Sequence, residues 1–186
     1  AVNKGVKQGA APLVLLLNSD VILQPDTIDN MVKELDNPAV GVVGPMLIFP
    51  DESRWGNPGK VQHAGLAFDI SGKPFHIHLG WAPDHPRLAQ NRIMQAVTGA
   101  CLLTRRGLWD KIGGLNPDYG IGTFEDVEYC FEIRKRGLQV LWISNARATH
   151  YTGQSATAAN IQYPLSANNE MFLRKWKPLW DEHKYW

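Results

Sequence analysis

Five consecutive apolar residues, Leu13-Val14-Leu15-Leu16-Leu17, follow Pro12 and stop at the polar triplet Asn18-Ser19-Asp20. A block this short and continuously apolar reads as a strand covered on both faces, as in the parallel sheets of α/β proteins; periodicity alone leaves a buried helical turn open. Pro25 and Asp26 then open a helix on which Ile28, Met31, Val32 and Leu35 recur at i, i+3, i+4 and i+7. A second apolar run, Val40–Val43, is closed by Gly44-Pro45. Strand, helix and strand in this order predict a β-α-β unit, a sheet with a helix packed on its face. The Leu13–Leu17 block is also the longest uninterrupted apolar run, far short of the roughly 20 residues of a membrane-spanning helix.

The length of 186 residues supports one domain, and 44% hydrophobic with 20% charged residues excludes a disordered chain. Nineteen Lys and Arg against eighteen Asp and Glu leave a net charge of +1, which removes the electrostatic basis for a nucleic-acid partner. Two cysteines, Cys101 and Cys130, are too few for a disulfide framework and favour a reducing cytoplasm. Ala1-Val2-Asn3-Lys4-Gly5 has neither an initiating Met nor the apolar core of a signal peptide, so the expectation is a stretch from inside a longer protein.

Further along, Asp51–Lys60 reads as an exposed loop, and Val61–Phe68 with Phe75–Leu79 as a hairpin around Ser71-Gly72-Lys73. Ile93–Val97 and Ala100–Thr104 are apolar on either side of Thr98-Gly99 and lead into a short helix through Leu108, Trp109 and Ile112 that stops at Gly113-Gly114. The most periodic helix carries Val127, Cys130, Phe131 and Arg134 and ends before Gly137. A strand over Leu138–Ile143, a connector, the polar stretch Thr149–Asn160 and a helix over roughly Ser166–Trp176 complete the chain, without internal repeats.

Three constellations stand out chemically. Asn18-Ser19-Asp20 ends the first strand, where ligands gather in open α/β sheets, and a carboxylate there suits a divalent cation shared with substrate phosphates; a capped turn is the plain alternative. Glu125-Asp126 follows the glycine-rich Tyr119-Gly120-Ile121-Gly122 at the start of the best helix. Acidic residues there complement the helix dipole, and they are equally placed to take a proton from an entering hydroxyl. His150 is a lone histidine whose functional reading needs a second metal-binding element nearby. A rival site is His76-x-His78, two histidines expected on one face of a strand, with His63 or His85 as a third zinc ligand. Neither phosphate-loop pattern occurs around Lys4-Gly5 and Gly9, and Trp55 and Trp81 in loops are candidate sugar contacts.

In order and spacing, Asn3-Lys4-Gly5, Leu13–Val21 with Asn18-Ser19-Asp20, Val97–Arg106, Phe124–Tyr129 and Ala148-Thr149-His150 resemble the family 2 glycosyltransferases of GT-A fold, closest to bacterial rhamnosyltransferase-like enzymes of surface-polysaccharide assembly. The resemblance implies an α/β fold, a mixed sheet with helices on both faces. It implies that Asn18-Ser19-Asp20 takes the place of the Asp-x-Asp element, with Asp20 carrying the metal because the first position is Asn. Asp126 is then the general base, and His150 completes the metal site. Asn3, Asn18, Ser19 and Asp20 bind the donor, while Thr98, Gly99 and Glu125 line the acceptor and sugar cleft. The cofactor is Mn²⁺ or Mg²⁺, the donor a nucleotide-sugar, and the acceptor a glycan or lipid-linked hydroxyl attacked with inversion.

Family members begin with a nucleoside-binding segment that has no counterpart before Asn3. Residues 1–186 are therefore expected to form a single partial domain, N-terminally truncated, that binds nucleotide-sugar poorly alone and pairs its open sheet edge with another chain. Two other readings stand beside this one, a catalytically silent glycan-binding module and a His-centred metal hydrolase on His63, His76 and His78. A cytoplasmic location, at the inner face of a membrane, follows from a lipid-linked acceptor. The run Arg174-Lys175-Trp176-Lys177, with Trp180 and Trp186, is a candidate headgroup contact, although a solvated helix explains it as well.

Overall fold

The strand that organises the molecule is Val40–Ile48, buried at every position. In the computed structural model, which describes residues 1–53, 57–153 and 162–179, the elements are α1 (Val2–Val6), β1 (Leu13–Leu17), β2 (Val21–Leu23), α2 (Thr27–Glu34), β3 (Val40–Ile48), β4 (Val61–His63), β5 (Leu66–Phe68), β6 (Pro74–His76), β7 (Arg92–Met94), β8 (Cys101–Arg105), α3 (Arg106–Ile112), α4 (Glu125–Lys135), β9 (Gln139–His150) and α5 (Leu165–Trp176). The main sheet runs β1-β8-β3-β9-β2, with β4 added to β3 and β7 to β9, while β5 and β6 form a separate ribbon. β3 and β9 are parallel, and β8 is antiparallel to both β1 and β3, so β1, β3 and β9 point one way in a mixed sheet.

Side-chain alternation builds a core on each face. Val14 and Leu16 of β1, Val42 and Met46 of β3, and Val140 and Trp142 of β9 join one cluster with α4 and α5. Val43 and Leu47 of β3 and Leu141 and Ile143 of β9 face α2 through Met31 and Leu35 in the other. A sheet apolar on both faces is what continuous runs such as Leu13–Leu17 encode, and helices on both faces follow.

The β-α-β unit is present, but β8 lies between β1 and β3. Gly44-Pro45, expected to end the second strand, instead marks a bulge: the β3–β9 register jumps between Pro45 and Met46, and β3 continues to Ile48. A bulge is a site where a strand tolerates proline. Across the same bulge β9 continues through Ser144-Asn145 to His150, so the expected connector after Ile143 is strand. The single strand read over Val61–Phe68 is two, because Gly65 turns the chain at φ 105°. α1 and β2 had no periodic signal. α3 ends at Gly113 in the left-handed region (φ 93°), as its glycine pair implied.

Candidate functional site

The motif residues converge at the C-terminal edge of β1 and β9. Leu17 of β1 pairs with Cys101, and the Asn18 N–H donates to the Ala100 carbonyl (2.9 Å), so the polar triplet lies against the turn Thr98-Gly99-Ala100. Asn18 and Ser19 are exposed and Asp20 is half-buried. β2 then returns the chain antiparallel to β9 and sets Val21 opposite His150. His150 Nε2 is 3.3 Å from Asp20 Oδ1.

Hydrogen bonding fixes the His150 tautomer. Gln62 Nε2 donates to the His150 carbonyl (3.1 Å) and to Thr152 Oγ1 (2.5 Å). Gln62 Oε1 is therefore the acceptor 2.6 Å from His150 Nδ1, which must carry the hydrogen. Burial holds the imidazole below its ordinary pKa, against the opposing influence of Asp20. A neutral ring with hydrogen on Nδ1 turns the Nε2 lone pair toward a carboxylate oxygen. Two electron-pair donors so disposed fit a divalent cation, since ligands at about 2.1 Å and right angles stand about 3 Å apart. Among the described residues no group of three His, Cys, Asp or Glu side chains could hold a metal. Asp20 and His150 would thus supply two ligands, leaving the rest to substrate oxygens and water.

Across Thr98-Gly99 lies the acidic pair. Asp126 Oδ2 accepts from the Gly99 N–H (2.6 Å) and Oδ1 from the Val127 N–H (2.8 Å), with the Thr98 hydroxyl as a third donor. Gly99 is required by closeness: a Cβ there would stand 2.9 Å from the Asp126 Cβ. Burial raises the Asp126 pKa despite these bonds. In Glu125, burial and the neighbouring Asp126 push the carboxyl up to about 7, and its Oε2 is buried with no hydrogen-bond partner. Both carboxyls line a hollow of about 600 Å³ with Asn18, Thr98 and Gly99, while His150, Gln62 and Thr98 border a second of about 380 Å³. Thr98 thus stands between the metal-type pair and the acidic pair.

A raised Glu125 pKa means that the folded state holds a proton the unfolded chain releases near 4.5, so this group lowers stability as pH rises from about 4.5 to 7. Glu125→Gln is expected to raise Tm more at pH 7.5 than at pH 5, in thermal melts of both proteins. An equal change at the two pH values contradicts this.

Asn3 sits beside this cleft with both ends of its amide bound to Leu115, Nδ2 donating to the carbonyl (2.7 Å) and Oδ1 accepting from the N–H (3.0 Å). The His-centred alternative does not assemble. β6 ends at His76, and His78 takes φ 56° beyond it, so the two do not share a strand face. His78 instead accepts from Arg92 (3.2 Å), and Trp81 is packed between His78 and His85. His63 Nε2 accepts from the Thr98 N–H (3.3 Å), so its Nδ1 carries hydrogen and donates to His76 Nδ1 (2.8 Å), leaving no lone pair on His63 for a metal. Trp55, Trp180 and Trp186 lie outside the described residues. Lys175 and Trp176 turn toward α4, Lys175 to Glu128 (2.8 Å) and Glu132 (3.1 Å), Trp176 to Phe131. Among the described residues no helix is long and apolar enough to cross a membrane.

Sequence reasoning missed Gln62, a polar residue within the strand expected over Val61–Phe68, at a position that proves buried. It also missed Asn168, which gave no signal beyond an amide on a helix.

The model of the glycosyltransferase like family 2 matches residues 1–163. An uncharacterized protein of Sinorhizobium fredii is 34% identical over 94% of this chain and 19% of its own length. An O-antigen biosynthesis protein of Myxococcus xanthus is 30% identical over 86% of this chain and 12% of its own length. An N-acetylglucosaminyl-diphospho-decaprenol L-rhamnosyltransferase of Mycobacterium tuberculosis is 26% identical over 76% and 48%. The chain therefore spans less than half of each of these relatives. In fold it is similar to GalNAc-T7 crystallised with UDP, GalNAc and Mn²⁺ (TM-score 0.60, 17% identity, 79% of this chain and 29% of that one). It is also similar to a mannosyltransferase from Pyrobaculum calidifontis in complex with GDP-Man and Mn²⁺ (TM-score 0.52, 14% identity, 96% and 49%). Motif order, sheet topology and the family match agree: the chain belongs to the family 2-like glycosyltransferases and has the GT-A type of mixed α/β fold.

Proposed function

We propose that the chain is the catalytic part of an inverting, metal-dependent glycosyltransferase that moves a sugar from a nucleotide-sugar to a hydroxyl of a glycan or lipid-linked acceptor. The observation that carries this reading is the Asp20–His150 pair, two electron-pair donors 3.3 Å apart, set across Thr98-Gly99 from the Glu125–Asp126 pair. Mn²⁺ or Mg²⁺ held by Asp20 and His150 supplies positive charge to offset that of the departing nucleoside diphosphate. Asp126 accepts the proton of the acceptor hydroxyl, and the oxygen attacks the anomeric carbon opposite the diphosphate. A single displacement inverts that carbon. Burial holds the Asp126 carboxyl above its ordinary pKa, which suits it to take up that proton. Asn18, Ser19 and Asn3 edge the donor side; Thr98, Gly99 and Glu125 line the sugar cleft.

The names of the relatives support a role in surface-polysaccharide assembly with a lipid-linked acceptor. Such an acceptor would place the enzyme at the cytoplasmic face of a membrane. The test is Mn²⁺-dependent transfer or hydrolysis of UDP-, GDP- and dTDP-sugars, measured on this chain and on one extended at its N-terminus. Turnover that requires the metal supports the proposal. Sugar binding without turnover in either protein makes it a silent glycan-binding module instead.

A further inference from the structure

Asn168 is a buried amide, 5% exposed, on α5. Its Nδ2 lies 2.8 Å from the Gly122 carbonyl, 3.1 Å from those of Tyr119 and Thr123, and 3.0 Å from Thr123 Oγ1. An amide nitrogen has two hydrogens, which these four oxygens share. One side chain from a helix 45 residues away thus gathers the main chain that leads into α4.

That segment needs holding. Gly120, Gly122, Thr123 and Phe124 all have positive φ, and Thr123 and Phe124 are successive non-glycine residues at 73°. Each such residue costs on the order of 1 kcal/mol or more and persists only where its surroundings enforce it. Phe124 begins α4 without a side-chain cap, so the next two residues, Glu125 and Asp126, take their positions from this turn. Phe172, one turn further along α5, packs on Phe124 (ring centroids 5.6 Å apart) and stacks on Phe68 (5.5 Å), which anchors the helix that carries Asn168.

We infer that Asn168 is a positioning residue for the acidic pair: it holds residues 119–124 in the left-handed turn that seats Asp126 against the Gly99 N–H. What the pair does rests on the function proposed above; where it sits does not. Without the amide, the turn relaxes toward ordinary φ values, α4 loses its starting geometry, and the Gly99–Asp126 bond opens.

The test uses Asn168→Ala and the near-isosteric Asn168→Asp, each alone and with Thr123→Gly, which makes positive φ free of strain at that position. Amide hydrogen exchange at Gly99 and Val127 is read beside kcat and the donor KM. The expected result is at least tenfold faster exchange at Gly99 and at least a tenfold loss of kcat with donor KM little changed. Thr123→Gly is expected to recover a substantial part of both, a non-additivity that simple loosening of α5 does not produce. Unchanged Gly99 exchange in either Asn168 variant, or losses that Thr123→Gly leaves untouched, overturns the inference. If exchange responds as expected while Asp126→Asn turns over normally, the positioning stands and the base assignment is what fails.

Discussion

Asp126→Asn is expected to lower transfer by about 10²- to 10⁴-fold, the usual contribution of a positioned general base, while donor binding changes little. The carboxylate accepts from Gly99, Val127 and Thr98 at once. An amide in its place keeps one acceptor oxygen and turns an NH₂ group toward one of those N–H donors. A buried donor left facing a donor costs about 1–3 kcal/mol, so a lower Tm should accompany the kinetic loss. Steady-state kinetics on protein verified as folded, with donor titration alongside, separates the two effects. Normal turnover removes Asp126 as the base; weakened donor binding at normal kcat reassigns it to the donor side.

The second large effect concerns the metal. Asp20→Ala and His150→Ala each delete one of two protein ligands, and calorimetry should show Mn²⁺-dependent nucleotide binding weakened beyond the roughly 10- to 100-fold that loss of an orienting partner costs. Gln62→Leu should fall within that smaller range. Gln62 would touch no metal, but its Oε1 holds the hydrogen on His150 Nδ1 and so aims the Nε2 lone pair at Asp20. The ordering is the discriminating feature, with Asp20 and His150 above Gln62. Equal effects at all three positions would mean that the cluster only stabilises the end of β9.

Much of this site was legible in the residues because its parts are local. A five-residue apolar block ending in Asn18-Ser19-Asp20, and a periodic helix opening with Glu125-Asp126, each carry their own signal. What joins them does not. β8 enters between β1 and β3 through pairing across 84 to 92 residues with β1 and 60 to 62 with β3, which no window contains. Gly44-Pro45 looked like a stop because both residues usually end strands, yet here they form a bulge. Gly44 lies so close to Val97 that a Cβ added to it would stand 2.7 Å from the Val97 Cβ. The same bulge lets β9 pass Ser144-Asn145 and deliver His150 beside Asp20. His76-x-His78 failed for a related reason: spacing by two places residues on one face only while the strand lasts, and β6 ends at His76. Buried polar partners such as Gln62 and Asn168 were silent because their roles exist only after folding.

The proposed function depends on Asp20 and His150 forming a divalent-metal site across Thr98-Gly99 from the acidic pair. Paramagnetic broadening by Mn²⁺ in backbone amide spectra of the chain tests this most directly. Substoichiometric Mn²⁺ is expected to broaden resonances of Asn18, Asp20, Thr98, Gly99 and His150 first, an effect lost in Asp20→Ala. Broadening centred on another part of the molecule, or unchanged in Asp20→Ala, would contradict it.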